Sequence, residues 1–237
     1  MTPSLGCVAQ PVEVEVEVTG IAAGGDGIGR RHDGRVVFCE GALPGERVLA
    51  VVTEVRRDFA RARVTEVLEP SASRILPSCP HLADGCGGCT WQHVLPAAQE
   101  DLKVAIVADA LRRIGRLPHA VVAPAPSRRP RVPPGGYRTT LRLAVDEQGR
   151  PAYRRRHRHE PVAVDSCLVS HPALEELVTG ARFPGAGEVI LRVGMATGER
   201  LAAPDRQGGQ AVVPAGTQVG RDTMVHEDVA GRRWRVS

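Results

Sequence analysis

Aromatic residues are scarce: two Trp, two Tyr and three Phe make up 3% of 237 residues. That leaves little capacity for binding nucleic acid by base stacking alone. Lysine is almost missing, since Lys103 is the only one among 31 basic residues. Cationic recognition therefore falls to arginine, whose planar fork grips phosphate bidentately, although a compositional bias of the genome explains the same excess. No apolar run approaches the roughly 18 residues of a membrane span, and Met1 to Pro11 lacks a basic stretch followed by an apolar one. These absences argue against a membrane partner and a secretory signal, and the expected location is cytoplasmic. Cysteines number six (Cys7, Cys39, Cys79, Cys86, Cys89 and Cys167), and in a reducing compartment a disulfide framework is not their expected use. What is present, 42% hydrophobic and 24% charged residues, suits a folded chain of one large domain or two to three small ones.

Charge is uneven. Residues 1–70 carry a net −3, residues 71–180 a net +5 and residues 181–237 a net +2, so the middle stretch is the part expected to meet a polyanion. The first seventy residues read as short strands. Val12 to Val18 alternates valine and glutamate without a fault, which puts every valine on one face. The glycines from Gly24 to Gly29 contain a G-x-G but lead into no helical pattern, so they read as a turn between strands rather than a dinucleotide loop. Arg35 to Cys39, Arg47 to Val55 and Phe59 to Leu68 are further β-prone runs, with a turn at Leu43 to Glu46. Short strands with Gly/Pro turns at this density predict a small barrel, with the OB-fold leading. On its last strand Arg61 and Arg63 point away from Ala60 and Ala62; with Arg56 and Arg57 they form a basic edge, either a backbone contact for nucleic acid or an ordinary solvated face.

Beyond a connector ending near Pro77, Pro96 opens a helix with Val104, Val107, Leu111 and Ile114 on one stripe and Gly115 near its end. Pro118 to Pro134 holds six prolines and reads as a linker. Tyr137 to Val145 predicts a strand with Arg138, Thr140 and Arg142 facing out, followed by a hairpin turn. Arg154-Arg155-Arg156-His157-Arg158-His159 is a dense basic run. A short helical turn at Leu174 to Val178 and strands at Glu188 to Val193, Glu199 to Ala202 and Arg232 to Val236 complete the pattern.

Cys79-Pro80-His81-Leu82-Ala83-Asp84-Gly85-Cys86-Gly87-Gly88-Cys89 is the most informative string. Two residues between Cys86 and Cys89 let both thiolates reach one metal centre, and the glycines permit the turn while leaving amides free to bond sulfur. Three thiolates are one short of a full set, and Cys167, 78 positions after Cys89, can supply the fourth. Spacing leaves iron–sulfur and zinc open. His81 and His93 could replace a cysteine at zinc but read better as surface or hydrogen-bonding residues, while Cys39 reads as a small core residue and Cys7 lies in a terminal tail.

A barrel, then C-P-x5-C-G-G-C, then Trp91-Gln92-His93, a Lys-bearing helix, Tyr137-Arg138 and a distant Cys167: in this order the chain resembles the N-terminal half of TRAM-containing RNA uracil-C5-methyltransferases, including the RlmD type that acts on large-subunit ribosomal RNA. The resemblance implies that Cys79, Cys86, Cys89 and Cys167 hold a [4Fe–4S] cluster. It also implies S-adenosylmethionine chemistry, in which a cysteine adds to uracil C6 so that C5 becomes nucleophilic enough to take the methyl group, on a base taken out of its stack. That machinery belongs to a C-terminal Rossmann-like domain that the sequence ending at Ser237 does not show. No catalytic or S-adenosylmethionine-binding residue is therefore assigned in this chain, and by itself it is expected to be inactive, a fragment or one part of a split enzyme.

The expected architecture is α+β, mostly β: a disordered tail (1–11), a TRAM/OB-fold RNA-binding domain (12–70), an iron–sulfur cysteine loop (71–95), a helix packing on the missing methyltransferase domain (96–117), a Pro-rich linker (118–136) and a β-rich domain completing the cluster site (137–237). The expected partner is RNA, ribosomal and 23S in particular by the resemblance, not DNA, together with a separate methyltransferase domain or chain. RNA contacts are expected at Arg56, Arg57, Arg61, Arg63, Tyr137, Arg138, Arg142, Arg154, Arg155, Arg156 and Arg158. Two other classes compete: a stand-alone RNA-binding module with a structural iron–sulfur or zinc site, and a redox-active iron–sulfur protein. Radical S-adenosylmethionine enzymes also pair a TRAM module with three cysteines, but with different spacing and order.

Overall fold

The computed structural model describes residues 12–31, 33–123, 132–206 and 208–236. Cys7, the 1–11 tail and the middle of the Pro-rich segment lie outside the described residues. The described residues divide into two compact units: one of residues up to 77 with 90–123, the other of 78–89 with the residues from 132 onward. The predicted cysteine loop is thus shared, since its cysteines go with the second unit and Trp91 to Leu95 with the first.

The first unit is a closed barrel of β1 (Glu13–Ile21), β2 (Gly27–Arg30), β3 (Val36–Glu40), β4 (Arg47–Val55) and β5 (Phe59–Glu69), in the order β1-β2-β3-β5-β4. The pairs are antiparallel except β3–β5, an arrangement that fits the predicted OB-fold. Val16, Val18, Val37, Cys39, Val48, Ala50, Ala60 and Ala62 fill its interior, so the period of two in the sequence is the period of burial. Along β5 the alternation slips, and Val67 joins the core with Val64 because bulges shift the β4–β5 register. Gly29 lies in β2, not in a nucleotide loop. A Cβ there would stand 2.5 Å from the Glu17 carbonyl, so glycine is what lets β2 cross β1.

One buried charge organises the lower barrel. Glu46 is 1% exposed and accepts from Arg74 Nε and Nη2, from the Leu43 amide at 2.8 Å and from the Ser71 amide at 3.2 Å. Burial pushes its pKa up, but Arg74 and the two amides prevail and hold the carboxyl below the usual glutamate range. The connector 71–77 is anchored beside it: the Ile75 amide donates to the His93 carbonyl and the Leu95 amide to the Ser73 carbonyl. Trp91 Nε1 donates to the Gly25 carbonyl at 3.3 Å, and any side chain on Gly25 would strike the indole. The helix α1 (Pro96–Arg113) follows. Of its predicted stripe, Val107 and Ile114 are 47% and 78% exposed and Val104 and Leu111 are half-buried. Ala105, Ala108 and Arg112 instead line a cavity of about 700 Å³ with Ile28, Val36 and Phe38.

The second unit is a six-stranded sheet ordered β11-β10-β9-β6-β7-β8, from β6 (Thr140–Val145), β7 (Pro151–Arg154), β8 (Pro161–Ala163), β9 (Glu188–Val193), β10 (Arg200–Pro204) and β11 (Thr217–Val219). A hairpin of β12 (Val225–Val229) and β13 (Arg232–Val236) completes it. Helix α2 (Pro172–Gly180) lays Leu174, Leu177 and Val178 on a core with Leu141, Leu143, Phe183, Val189 and Leu191. The predicted strand from Tyr137 starts later, at Thr140. The stretch before it is held by single contacts to the Cys167–Ser170 turn, with the Arg138 amide donating to the Val169 carbonyl and the His171 amide to the Arg138 carbonyl.

Candidate metal centre and nucleic-acid interface

The three early cysteines sit on a loop that behaves as an extra, very short strand. Cys79 caps a 3-10 turn, Pro80–Leu82. Cys86 then forms a bridge with Arg155, in which the Gly87 amide donates to the Arg154 carbonyl at 2.9 Å and the Arg156 amide to the Gly85 carbonyl at 3.4 Å. The approach leaves no room for side chains. A Cβ on Gly87 would lie 2.7 Å from the Arg154 carbonyl oxygen, and one on Gly88 2.9 Å from the Tyr153 ring. Gly85, at φ +88°, carries the turn that precedes the bridge.

Cys167 arrives from β8 and is fixed by α2. Its amide donates to Glu175 Oε1 at 3.1 Å, and its carbonyl accepts from the Ser170 amide and hydroxyl, each at 3.1 Å. Glu175 Oε2 accepts from the same hydroxyl. The fold places the four predicted ligands in one unit. Burial pushes the Cys86 thiol up, the Gly88 amide opposes this, and charge on Cys89, Cys79 and Cys167 raises it further. Both Cys86 and Cys167 pack against the core of this unit. Tyr153, 8% exposed, places its hydroxyl 3.0 Å from Cys167 Sγ, and burial with that contact drives its pKa strongly upward. The four thiols are free, not paired as disulfides.

The chemistry of this donor set, four thiols with an amide and a hydroxyl directed at sulfur, fits an iron–sulfur cluster or zinc. Among the described residues, no three His, Cys, Asp or Glu side chains are grouped as a ready-made site for a metal ion. His81 does not join the set. It is 8% exposed and sits between two carboxylates, with Nδ1 3.3 Å from Asp84 and Nε2 2.8 Å from Asp165, the hydrogen-bonding role that its sequence context suggested. Cys39 is fully buried in the barrel, with its thiol pushed up to about 11 by burial and Asp26.

The arginines proposed to meet RNA are mostly paired. In the second unit, Glu188 binds Arg142 at 3.0 Å and Arg154 at 3.1 Å, and Glu160 binds Arg155 at 3.0 Å and Arg158 at 3.4 Å. Arg155 also donates to the Asp84 carbonyl at 2.9 Å, which makes it a brace for the cysteine loop as well as a surface charge. Arg156 is half-buried, and Arg138 lies 5.9 Å from the centre of the exposed Tyr137 ring. Four arginines against two carboxylates still leave this face positive.

On the barrel, Arg56 pairs with Glu54, Arg57 is 95% exposed and Arg63 is exposed on the outer face of β5. Arg61 does more: it pairs with Asp26 at 3.2 Å and lies 5.6 and 5.8 Å from the ring centres of Phe38 and Phe59. Those rings meet edge to face at 5.6 Å. The two phenylalanines escaped sequence reasoning. Phe38 lies between the buried Val37 and Cys39, and Phe59 opens β5 just before the buried Ala60; the two strands pair in parallel with Phe38 opposite Arg61, and the sequence does not show that β3 and β5 are neighbours.

Residues 12–65 match the TRAM domain family. Over 87% of its length the chain is 38% identical to an uncharacterized RNA methyltransferase of Streptomyces coelicolor, of which it covers 46%. It is also 38% identical, over 81% of its length, to the 23S rRNA (uracil(1939)-C(5))-methyltransferase RlmD of Alkalilimnicola ehrlichii, covering 40% of that protein. The chain therefore spans less than half the length of these curated relatives. Its fold resembles that of the Pyrococcus abyssi tRNA (uracil-54, C5)-methyltransferase solved with S-adenosyl-L-homocysteine, with a TM-score of 0.57 at 18% identity over 93% of this chain and 59% of that one. No helix among the described residues is long and apolar enough to cross a membrane. The chain thus carries a TRAM-domain barrel and is similar in sequence to RNA methyltransferases over less than half of their length.

Proposed function

We propose that this chain forms the RNA-binding, cluster-bearing part of an S-adenosylmethionine-dependent RNA uracil-C5-methyltransferase with a ribosomal RNA substrate. The observation that supports this reading is that Cys86 and the sequence-remote Cys167 pack against one core, in the unit that also contains Cys79 and Cys89. Cys79, Cys86, Cys89 and Cys167 would hold a [4Fe–4S] cluster. When bound, the cluster supplies a rigid cross-link rather than electrons, because methyl transfer to uracil C5 involves no net redox change. The chain's own residues shape the surroundings: Glu175 and Ser170 orient Cys167, while Gly87 and Arg155 hold the cysteine loop against β7.

RNA would be met by charge first. Arg57, Arg61 and Arg63 on the barrel and the arginines around Glu160 and Glu188 would make phosphate contacts that position the strand. Phe38 and Phe59 add an aromatic surface beside Arg61 that suits an unstacked base. Binding S-adenosylmethionine and forming the covalent uracil adduct fall to a catalytic domain on the same polypeptide or on a partner. Anaerobic purification with iron and acid-labile sulfide analysis tests the reading. Iron and sulfide in equal amounts, with a broad absorbance near ~400 nm, support it. Zinc in their place supports the stand-alone RNA-binding module with a structural metal, and neither metal sinks the cysteine assignment. RNA affinity that does not fall with salt would remove the proposed phosphate contacts.

A further inference from the structure

Tyr153 and Cys167 are each held by elements independent of the other. Tyr153 is locked in β7, paired to β8 opposite Val162, with its ring beside Gly88 so closely that a Cβ there would lie 2.9 Å from Cδ1. Cys167 is held by Glu175 and Ser170 at the start of α2. The 3.0 Å separation of hydroxyl and sulfur is therefore set by the fold rather than by a mobile surface rotamer. A buried tyrosine hydroxyl is costly without a partner, and phenylalanine would fill the same space without that cost. A thiol can donate or accept, whereas a metal-bound thiolate has no proton and only accepts. In a loaded site, Tyr153 must therefore be the donor.

We propose that Tyr153 is a positioning residue for the four-cysteine centre, its hydroxyl donating to the sulfur of Cys167, the one ligand contributed by the remote segment. The donation directs that sulfur toward the other three. It also stabilises negative charge on sulfur, and so favours the reduced state of the centre. This role rests on the iron–sulfur reading above.

The test compares the full chain with its Tyr153→Phe variant, both reconstituted anaerobically with iron and sulfide. Metal analysis reads the iron–sulfur assignment separately: a wild-type protein that takes up no iron overturns both that assignment and this role. With iron present in both proteins, Tyr153→Phe is expected to shift the midpoint potential to a more negative value. It is also expected to move an iron–thiolate stretching band in the resonance Raman spectrum, and to lose that band's response to deuterium exchange. Equal potentials and an unmoved band overturn the role of Tyr153 while leaving the cluster in place. If Tyr153→Phe does not fold, the wild-type protein alone decides: an iron–thiolate band that shifts in deuterium oxide supports the hydrogen bond, and an insensitive one refutes it.

Discussion

His81 Nε2 lies 2.8 Å from Asp165 Oδ1, across 84 positions of sequence. The same imidazole contacts Asp84 through Nδ1 at 3.3 Å, so one buried ring joins the loop bearing Cys79, Cys86 and Cys89 to the turn bearing Cys167. His81→Ala removes that tie. The expected cost is about 1–2 kcal/mol, the scale of a lost hydrogen bond with partial burial, together with lower iron uptake per chain. Chemical denaturation and metal analysis on the same preparation would check both; unchanged uptake would show that the loop closes without the imidazole.

Gly87 allows the cysteine loop to pair with β7. In Gly87→Ala the new methyl would meet the Arg154 carbonyl at 2.7 Å and the Arg156 amide at 3.0 Å, both backbone. The loop must then back away, at a cost of about 1–3 kcal/mol by the scale of overpacked sites, with loss of metal loading. Gly180→Ala is the control, since nothing lies within 4 Å of its Cβ position. The control is expected to melt within a few degrees of wild type and to load normally.

Glu46 gives the barrel a pH dependence. Its carboxyl pKa is held below the ordinary glutamate value of about 4.3, so the folded state binds fewer protons than the unfolded state near that pH. Its stabilising contribution is complete above the ordinary value and lost as pH falls through the lowered one. Glu46→Gln leaves Arg74, 21% exposed, without its counter-charge. At neutral pH this should cost about 3 kcal/mol, at the lower end for a broken buried pair. The gap between variant and wild type should close as the solution is acidified below the glutamate range, which urea titrations at several pH values would reveal.

For RNA, the informative arginines are those whose loss does not disturb the fold. Arg57 is 95% exposed, with Asp58 3.9 Å away, and Arg158 is 67% exposed. Arg57→Ala and Arg158→Ala are each expected to lower the salt slope of RNA binding by about one while leaving the melting temperature unchanged. An unaltered slope would take that side chain out of the interface. Arg155→Ala is a poorer probe, because Arg155 also braces the cysteine loop through the Asp84 carbonyl.

Much of the barrel was legible because alternation is a local property. Val14, Val16 and Val18 declare one face of β1 through their spacing alone, and the predicted limits of β4, β9 and β13 agree with those observed. The pattern misled where register slips, as at Val67, and where irregular chain precedes a strand, as at Tyr137, and it left β11 and β12 unread. The cysteine spacing nominated four ligands, and the fold brings all four into one unit.

Cys79, Cys86 and Cys89 were marked by short-range spacing, and the sequence by itself nominated them, with Cys167, as candidate ligands. Only the tertiary structure decided what surrounds them: the Tyr153 hydroxyl on Cys167, the His81 tie to Asp165, and Glu188 and Glu160 paired with Arg154, Arg155 and Arg158 of the basic run. The physical reason is that a hydrogen bond or ion pair between residues tens of positions apart leaves no period in the chain. Its partners are chosen by which strands become neighbours, and that choice belongs to the packing of the whole unit.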